Sequence, residues 1–245
     1  MRKEKINFIF GLCFVLGLAT FTSCSDDDND PELLREAQTD AFVQKRVIDD
    51  EEKTAVSFFV WANCDLKSVT VTAPGEEGKT YTLKADANNS QVFRFMPSAE
   101  DFSAEAIVTG DYSFKLTGAT SSADTLNQND ALTDADLAKV EIASTEFESS
   151  KLKTTWETVA DNEGYVLTLF DSEDNILFIK EIDSEATEFS FGTSDEGWLS
   201  ETKAVSEEEY KVELGAILYE ADSNDGNKDY NIQHISYATK TITWE

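Results

Sequence analysis

Histidine, cysteine and proline are scarce in this 245-residue chain: one His, three Cys and three Pro. The single histidine, His234, lies in a polar stretch near the end, and no Gly-x-Ser-x-Gly turn offers it an activated serine. The cysteines stand alone at 13, 24 and 64, with no Cys-x-x-Cys pair, no His-Glu-x-x-His and no Gly-rich phosphate loop. Positive charge is also short. Twenty Lys and Arg face 49 Asp and Glu, a net charge of −29, and such a surface repels nucleic acid and anionic lipid. Long apolar runs are missing apart from Ile6–Ala19, and those 14 residues fall short of the roughly 20 a membrane helix needs. Eleven Gly and three Pro are too few for a low-complexity chain.

Aromatic and apolar residues are plentiful. Hydrophobic residues make up 40% of the chain, with 16 Phe and 4 Trp, enough to fill two cores in domains of about 100 residues each. Two stretches set the pattern: Tyr112-Ser113-Phe114-Lys115-Leu116-Thr117-Gly118 and Tyr210-Lys211-Val212-Glu213-Leu214-Gly215-Ala216. Each reads Tyr-x-apolar-x-Leu-x-small, the period of two of a half-buried strand. Other landmarks repeat in the same order. Trp61 and Trp156 are 95 residues apart, Phe93-Arg94-Phe95 and Phe189-Ser190-Phe191 are 96 apart, Phe102 and Trp198 are 96 apart, and the tyrosines are 98 apart. A nearly constant offset predicts two tandem copies of one fold.

The alternation predicts strands over Ala41–Ile48, Ala55–Ala62, Lys67–Ala73, Thr80–Ala85, Gln91–Met96, Tyr112–Thr117 and Ser122–Leu126 in the first copy. In the second it predicts Leu137–Ala143, Lys151–Glu157, Tyr165–Asp171, Ile176–Ile182, Glu188–Phe191, Glu209–Glu220 and Tyr230–Trp244. Asp49–Glu52, Asp171–Asn175 and Asp222–Lys228 read as turns, the last with Asp225-Gly226 at its tip. The expected fold is all-β, two tandem β-sandwiches. Expected boundaries are a first sandwich at 37–126, a polar linker at 127–136 and a second sandwich at 137–245 able to fold alone.

The second copy resembles a fibronectin type III domain, through Leu152-Lys153-Thr154-Thr155-Trp156, Gly164-Tyr165-Val166-Leu167-Thr168-Leu169 and the Tyr210 strand. The first is a looser immunoglobulin-like version. The resemblance implies that Trp156 and Trp61 are core, and that Tyr210 and Tyr112 are corner tyrosines whose hydroxyls bond backbone upstream. Aligning Trp61 with Trp156 turns Ser57, Phe59 and Trp61 inward. Val56, Phe58 and Val60 then fall on the other side, either covered by another part of the chain or forming an apolar stripe fit for a partner.

Residues 1–23 read as a signal peptide, with basic Arg2, Lys3 and Lys5 before the apolar run. Phe21-Thr22-Ser23-Cys24 resembles a bacterial lipobox, although Phe21 stands where the family usually has Leu. The resemblance implies cleavage before Cys24 and attachment of lipid to its thiol. Ser25, Asp26, Asp27 and Asp28, followed by Asn29 and Asp30, resemble the acidic export tag of surface-exposed lipoproteins in Bacteroidota. Residues 24–36 read as a flexible acidic tether. The processed chain then keeps Cys64 as its one cysteine apart from Cys24, so no internal disulfide is possible.

No catalytic constellation, metal site or cofactor site assembles from these residues. Asp222–Asp229 offers oxygen donors but fails the spacing of a calcium-binding EF-hand loop. Trp198 could stack on a sugar, yet its counterpart Phe102 favours a plug over the end of the core. Asp124-Thr125-Leu126 resembles the Bacteroidota O-glycosylation acceptor, with Thr125 the modified residue. The expected protein is a non-enzymatic lipoprotein of the outer membrane, facing the cell exterior, and a binding or spacer module for a glycan or protein. A small surface glycan hydrolase or a protease-inhibitor-like loop module is the alternative.

Overall fold

A computed structural model describes residues 33–75, 78–87, 89–120, 124–199, 201–221, 223 and 231–245. The first half contains β1 (Ala37–Ile48), β2 (Glu51–Ala62), β3 (Leu66–Thr72), β4 (Thr80–Thr82), β5 (Lys84–Asp86), β6 (Asn89–Phe95), β7 (Gly110–Gly118) and β8 (Thr125–Leu132). The second contains β9 (Ile142–Glu148), β10 (Lys151–Trp156), β11 (Gly164–Phe170), β12 (Ile176–Ile182), β13 (Glu188–Phe191), β14 (Glu209–Tyr219) and β15 (Ile232–Thr243). Asp49 and Asp50 both take positive φ, the two-residue turn that matches the twist of the β1–β2 hairpin.

Each half is a β-sandwich. In the first, β4-β3-β7-β8 faces β1-β2-β6-β5; in the second, β13-β10-β9 faces β12-β11-β14-β15. The large sheets are one: β1 pairs in parallel with β15, from Val43 opposite His234 to Arg46 opposite Tyr237. The result is a continuous eight-stranded sheet, β12-β11-β14-β15-β1-β2-β6-β5, running through both halves. Two cores lie against its inner face. Phe58, Tyr112, Phe114 and Leu116 centre one; Trp156, Tyr165, Phe178, Phe191 and Leu214 centre the other. A third cluster, Phe42, Val166, Ile179, Ile217, Ile232, Ile235 and Tyr237, lies on the outer face and draws every member from strands of this one sheet. Phe42 belongs to the first half and the other six to the second.

Several expectations change. Residues 127–132, read as linker, form most of β8. Their polarity misleads because β8 is an edge strand whose polar side chains serve β1: Gln128 donates to the Ala37 carbonyl at 3.1 Å, and Asp130 accepts from the Ala41 amide. Residues 33–36, read as part of the tether, are tied to the first sandwich. Asn63 accepts from the amides of Arg35 and Glu36, Asp124 accepts from the Leu34 amide, and Leu34 enters the first core. Residues 137–141 connect rather than pair, and β9 begins at Ile142. The run Thr80–Ala85 splits, with β4 on one sheet and β5 on the other.

The apolar stripe reverses. Val56, Phe58 and Val60 are 5%, 0% and 0% exposed and belong to the first core, so they offer no interface. Ser57, Phe59 and Trp61 take the opposite face, and Trp61 is only half-buried, outside that core. The cause is one residue of register. At the offset of 96 set by Phe93 and Phe189, Val60 rather than Trp61 is the counterpart of Trp156. In a strand a slip of one residue turns every side chain to the other face.

Candidate functional site

The seam where β1 meets β15 holds the most elaborate polar chemistry among the described residues. On the outer face, Arg46 of β1 pairs with Glu213 of β14 at 3.2 Å, reaching across β15. The guanidinium also sits 4.5 Å from the centroid of the Tyr237 ring. Thr239 donates to the same Glu213 carboxylate. Gly215 makes room for this stack, because a Cβ there would stand 2.8 Å from Tyr237 Cε1. Burial raises the Glu213 pKa to about 7 despite Arg46, and burial lowers Arg46 against the pull of Glu213. For both partners desolvation outweighs attraction, the usual balance for a buried pair.

On the inner side, three nearby residues of β15 clamp the segment joining the halves. Gln233 accepts from the Thr133 amide and hydroxyl, His234 Nδ1 accepts from the Leu137 amide at 3.3 Å, and the Ser236 hydroxyl accepts from the Val140 amide at 3.0 Å. Lys45 of β1 pairs with Asp136 of the same segment at 2.7 Å. His234 is buried, and desolvation takes its pKa down to about 4, so it is neutral and an acceptor at Nδ1. That is a positioning task for Nδ1.

Residues read from the sequence fall elsewhere. Tyr112 and Tyr210 are buried; Tyr112 donates to the Val108 carbonyl at 2.8 Å, while the Val205 amide donates to the Tyr210 hydroxyl at 2.8 Å. Burial pushes the Tyr112 hydroxyl up to about 12. Trp156 is buried beside Tyr165, ring centroids 5.3 Å apart. Trp198 donates to the Gly192 carbonyl and packs on Phe178 and Trp244, which leaves it closing the core end. Cys64 is buried in the first core. Thr125 opens β8 with its side chain exposed. Cys24, Ser25, Asp26, Asp27, Asp28 and the Asp225-Gly226 turn lie outside the described residues.

From the sequence, His234 stands out only as a lone histidine, and Arg46, Glu213, Gln233 and Ser236 do not stand out at all. Glu213 sits between Val212 and Leu214, where alternation reads it as solvent-facing; both faces of β14 are buried here. Asp40 has the same disguise in β1.

No protein-family model matches the chain, and no curated protein does. Among solved structures it is similar to a two-domain fibronectin type III segment from chicken tenascin, at 8% identity and a TM-score of 0.30, covering 88% of this chain and 99% of that one. It is also similar to fibronectin domains one to three of chicken CNTN1, at 11% identity and TM-score 0.29, covering 88% of this chain and 67% of that one. A third likeness is to the BSP domain of a biofilm associated protein, at 15% identity and TM-score 0.24, covering 86% of this chain and 30% of that one.

Proposed function

We propose that this protein is a non-enzymatic lipoprotein of the outer membrane, facing the cell exterior, which holds a glycan- or protein-binding surface away from the membrane. Lipid on Cys24 anchors it, and the acidic stretch from Ser25 to Asp28 carries it to the surface. The observation that supports this reading most is the eight-stranded sheet shared by both halves. A tandem fused through its main sheet is a stiff spacer, whereas a hinge between sandwiches would let the far end collapse toward the membrane. The hydrolase alternative needs carboxylates that a sugar can reach. In the one three-carboxylate cluster among the described residues, Asp40 is 0% exposed and no sugar ring reaches it.

The test uses the full-length protein on glycan arrays and in capture from surface extracts of the producing cells, together with protease shaving of intact cells. Saturable retention of one glycan or protein class, unaltered in mass, with loss of the protein on shaving, is the expected result. Turnover of a retained glycan would establish the hydrolase instead, and protection from shaving would place the protein inside the envelope.

A further inference from the structure

Asp40, Asp130 and Glu220 converge at the corner of the seam. Asp40 lies in β1, Asp130 in the edge strand β8, and Glu220 directly follows β14. One carboxylate oxygen from each lies within 4.8 Å of the other two. Asp130 and Glu220 have anchors: Asp130 accepts from the Ala41 and Ala131 amides, and Glu220 accepts from the Asn231 side chain while its own amide donates to the Asn231 carbonyl. Asp40 has none. It is fully buried, and neither of its carboxylate oxygens makes a hydrogen bond. The Ile232 backbone amide favours its charged form without completing a bond.

This is an unstable arrangement as it stands. A buried carboxylate without a partner costs several kcal/mol, and two more carboxylates beside it add to that. Desolvation first, then Asp130 and Glu220, drive Asp40 well above the usual carboxylate range. No lysine or arginine appears among the charges acting on it. Two outcomes relieve the strain: a proton on Asp40, or a cation among the three. The geometry favours the cation. The three oxygens lie within 4.8 Å of one another, close enough to share an ion about 2.4 Å from each, and a set of protein carboxylates suits calcium better than magnesium, which keeps most of its own waters. All three donors are hard oxygens with no nitrogen or sulfur, which excludes a preference for zinc or copper.

We infer that Asp40, Asp130 and Glu220 form a calcium site that bridges the two halves of the protein. Two of its ligands come from the first sandwich and one from the second. The ion pins the end of β14 and the start of β15 against β1 and β8, on the same seam as the Arg46–Glu213 pair but six residues back along β1. Three carboxylates, one buried and two part-buried, fit the weak affinity of extracellular calcium modules, with Kd on the order of 10⁻⁴ to 10⁻³ M.

The experiment is calorimetric titration of EDTA-stripped full-length protein with calcium chloride, and with magnesium chloride in parallel. Thermal melts in EDTA and in 10 mM calcium accompany it. One saturable calcium site is expected, at least about tenfold tighter than magnesium, with a melting temperature raised by roughly 3 °C or more. Asp40→Asn should abolish the heat of binding and the calcium-dependent shift, and should melt above the parent protein in EDTA because it removes the buried charge. Glu220→Gln should weaken calcium at least about tenfold, and it serves if Asp40→Asn fails to fold. An equal calcium shift in parent and Glu220→Gln, or in parent and Asp40→Asn, would reduce the effect to general screening of the acidic surface and overturn the site. So would a folded parent protein that takes up no calcium at 10 mM.

Discussion

Arg46 and Glu213 are 167 residues apart in sequence and 3.2 Å apart in space, on strands that flank β15 from either side. Glu213 is buried and Arg46 nearly so, and the two belong to different halves of the protein. Removing one partner leaves the other charge buried and alone. Arg46→Ala or Glu213→Ala is therefore expected to cost about 3–5 kcal/mol in urea unfolding, whereas Arg46→Met with Glu213→Leu should restore most of that loss.

The pH dependence of stability separates Glu213 from His234. Glu213 titrates at about 7 when folded against an ordinary 4.5, so its protonated form stabilises the fold fully below about pH 4.5, and this contribution is lost as pH rises through 7. His234 titrates at about 4 against 6.5, so its neutral form contributes fully above about pH 6.5, and this is lost as pH falls through 4. In melts recorded in EDTA, Glu213→Gln should flatten the curve between pH 4.5 and 7, and His234→Asn should flatten it between 6.5 and 4.

The strand β2 tests the reversed stripe. Phe58 is 0% exposed, and its ring lies 5.5 Å from Tyr112 and 5.8 Å from Phe114 by centroids. Phe58→Ala should cost about 3–5 kcal/mol, by lost transfer energy and a cavity. Trp61→Ala, at a half-buried side chain outside that core, should cost clearly less, although it deletes the larger side chain. Equal losses at both positions would restore the Trp61-inward alignment.

Tyr210→Phe should cost about 1–3 kcal/mol, because the Val205 amide would lose the acceptor it now uses. Trp156→Ala, from the other side of the same core, should cost about 3–5 kcal/mol. Both are read from chemical denaturation at neutral pH.

For the anchor, Cys24→Ala should leave the precursor at full mass and unlabelled by radioactive fatty acid. A labelled variant would remove the lipobox reading.

The sandwiches were legible because each carries a strand with strict alternation, Tyr112–Gly118 and Tyr210–Ala216, and because the large aromatics repeat at one offset. Their fusion was not. A strand buried on both faces reads like a half-buried one when polar residues such as Asp40, Gln44 and Glu213 occupy its second face, and the sequence carries no mark of what those residues will meet. The β8 strand was hidden for a related reason: Gln128 and Asp130 look like linker until β1 is seen to use them as hydrogen-bond partners. The clamp on residues 133–140 was equally silent, since Gln233, His234 and Ser236 acquire meaning only when the connecting segment folds back on them.

The central claim is that β1 and β15 make one cooperative body of two sandwiches, so that residues 137–245 are not a free-standing domain. Differential scanning calorimetry of the full-length protein tests it most directly. One transition with equal calorimetric and van't Hoff enthalpies is the expected result. Two separable transitions, with the lower one shifted by Phe58→Ala and the upper by Trp156→Ala, would show two independent domains and contradict it.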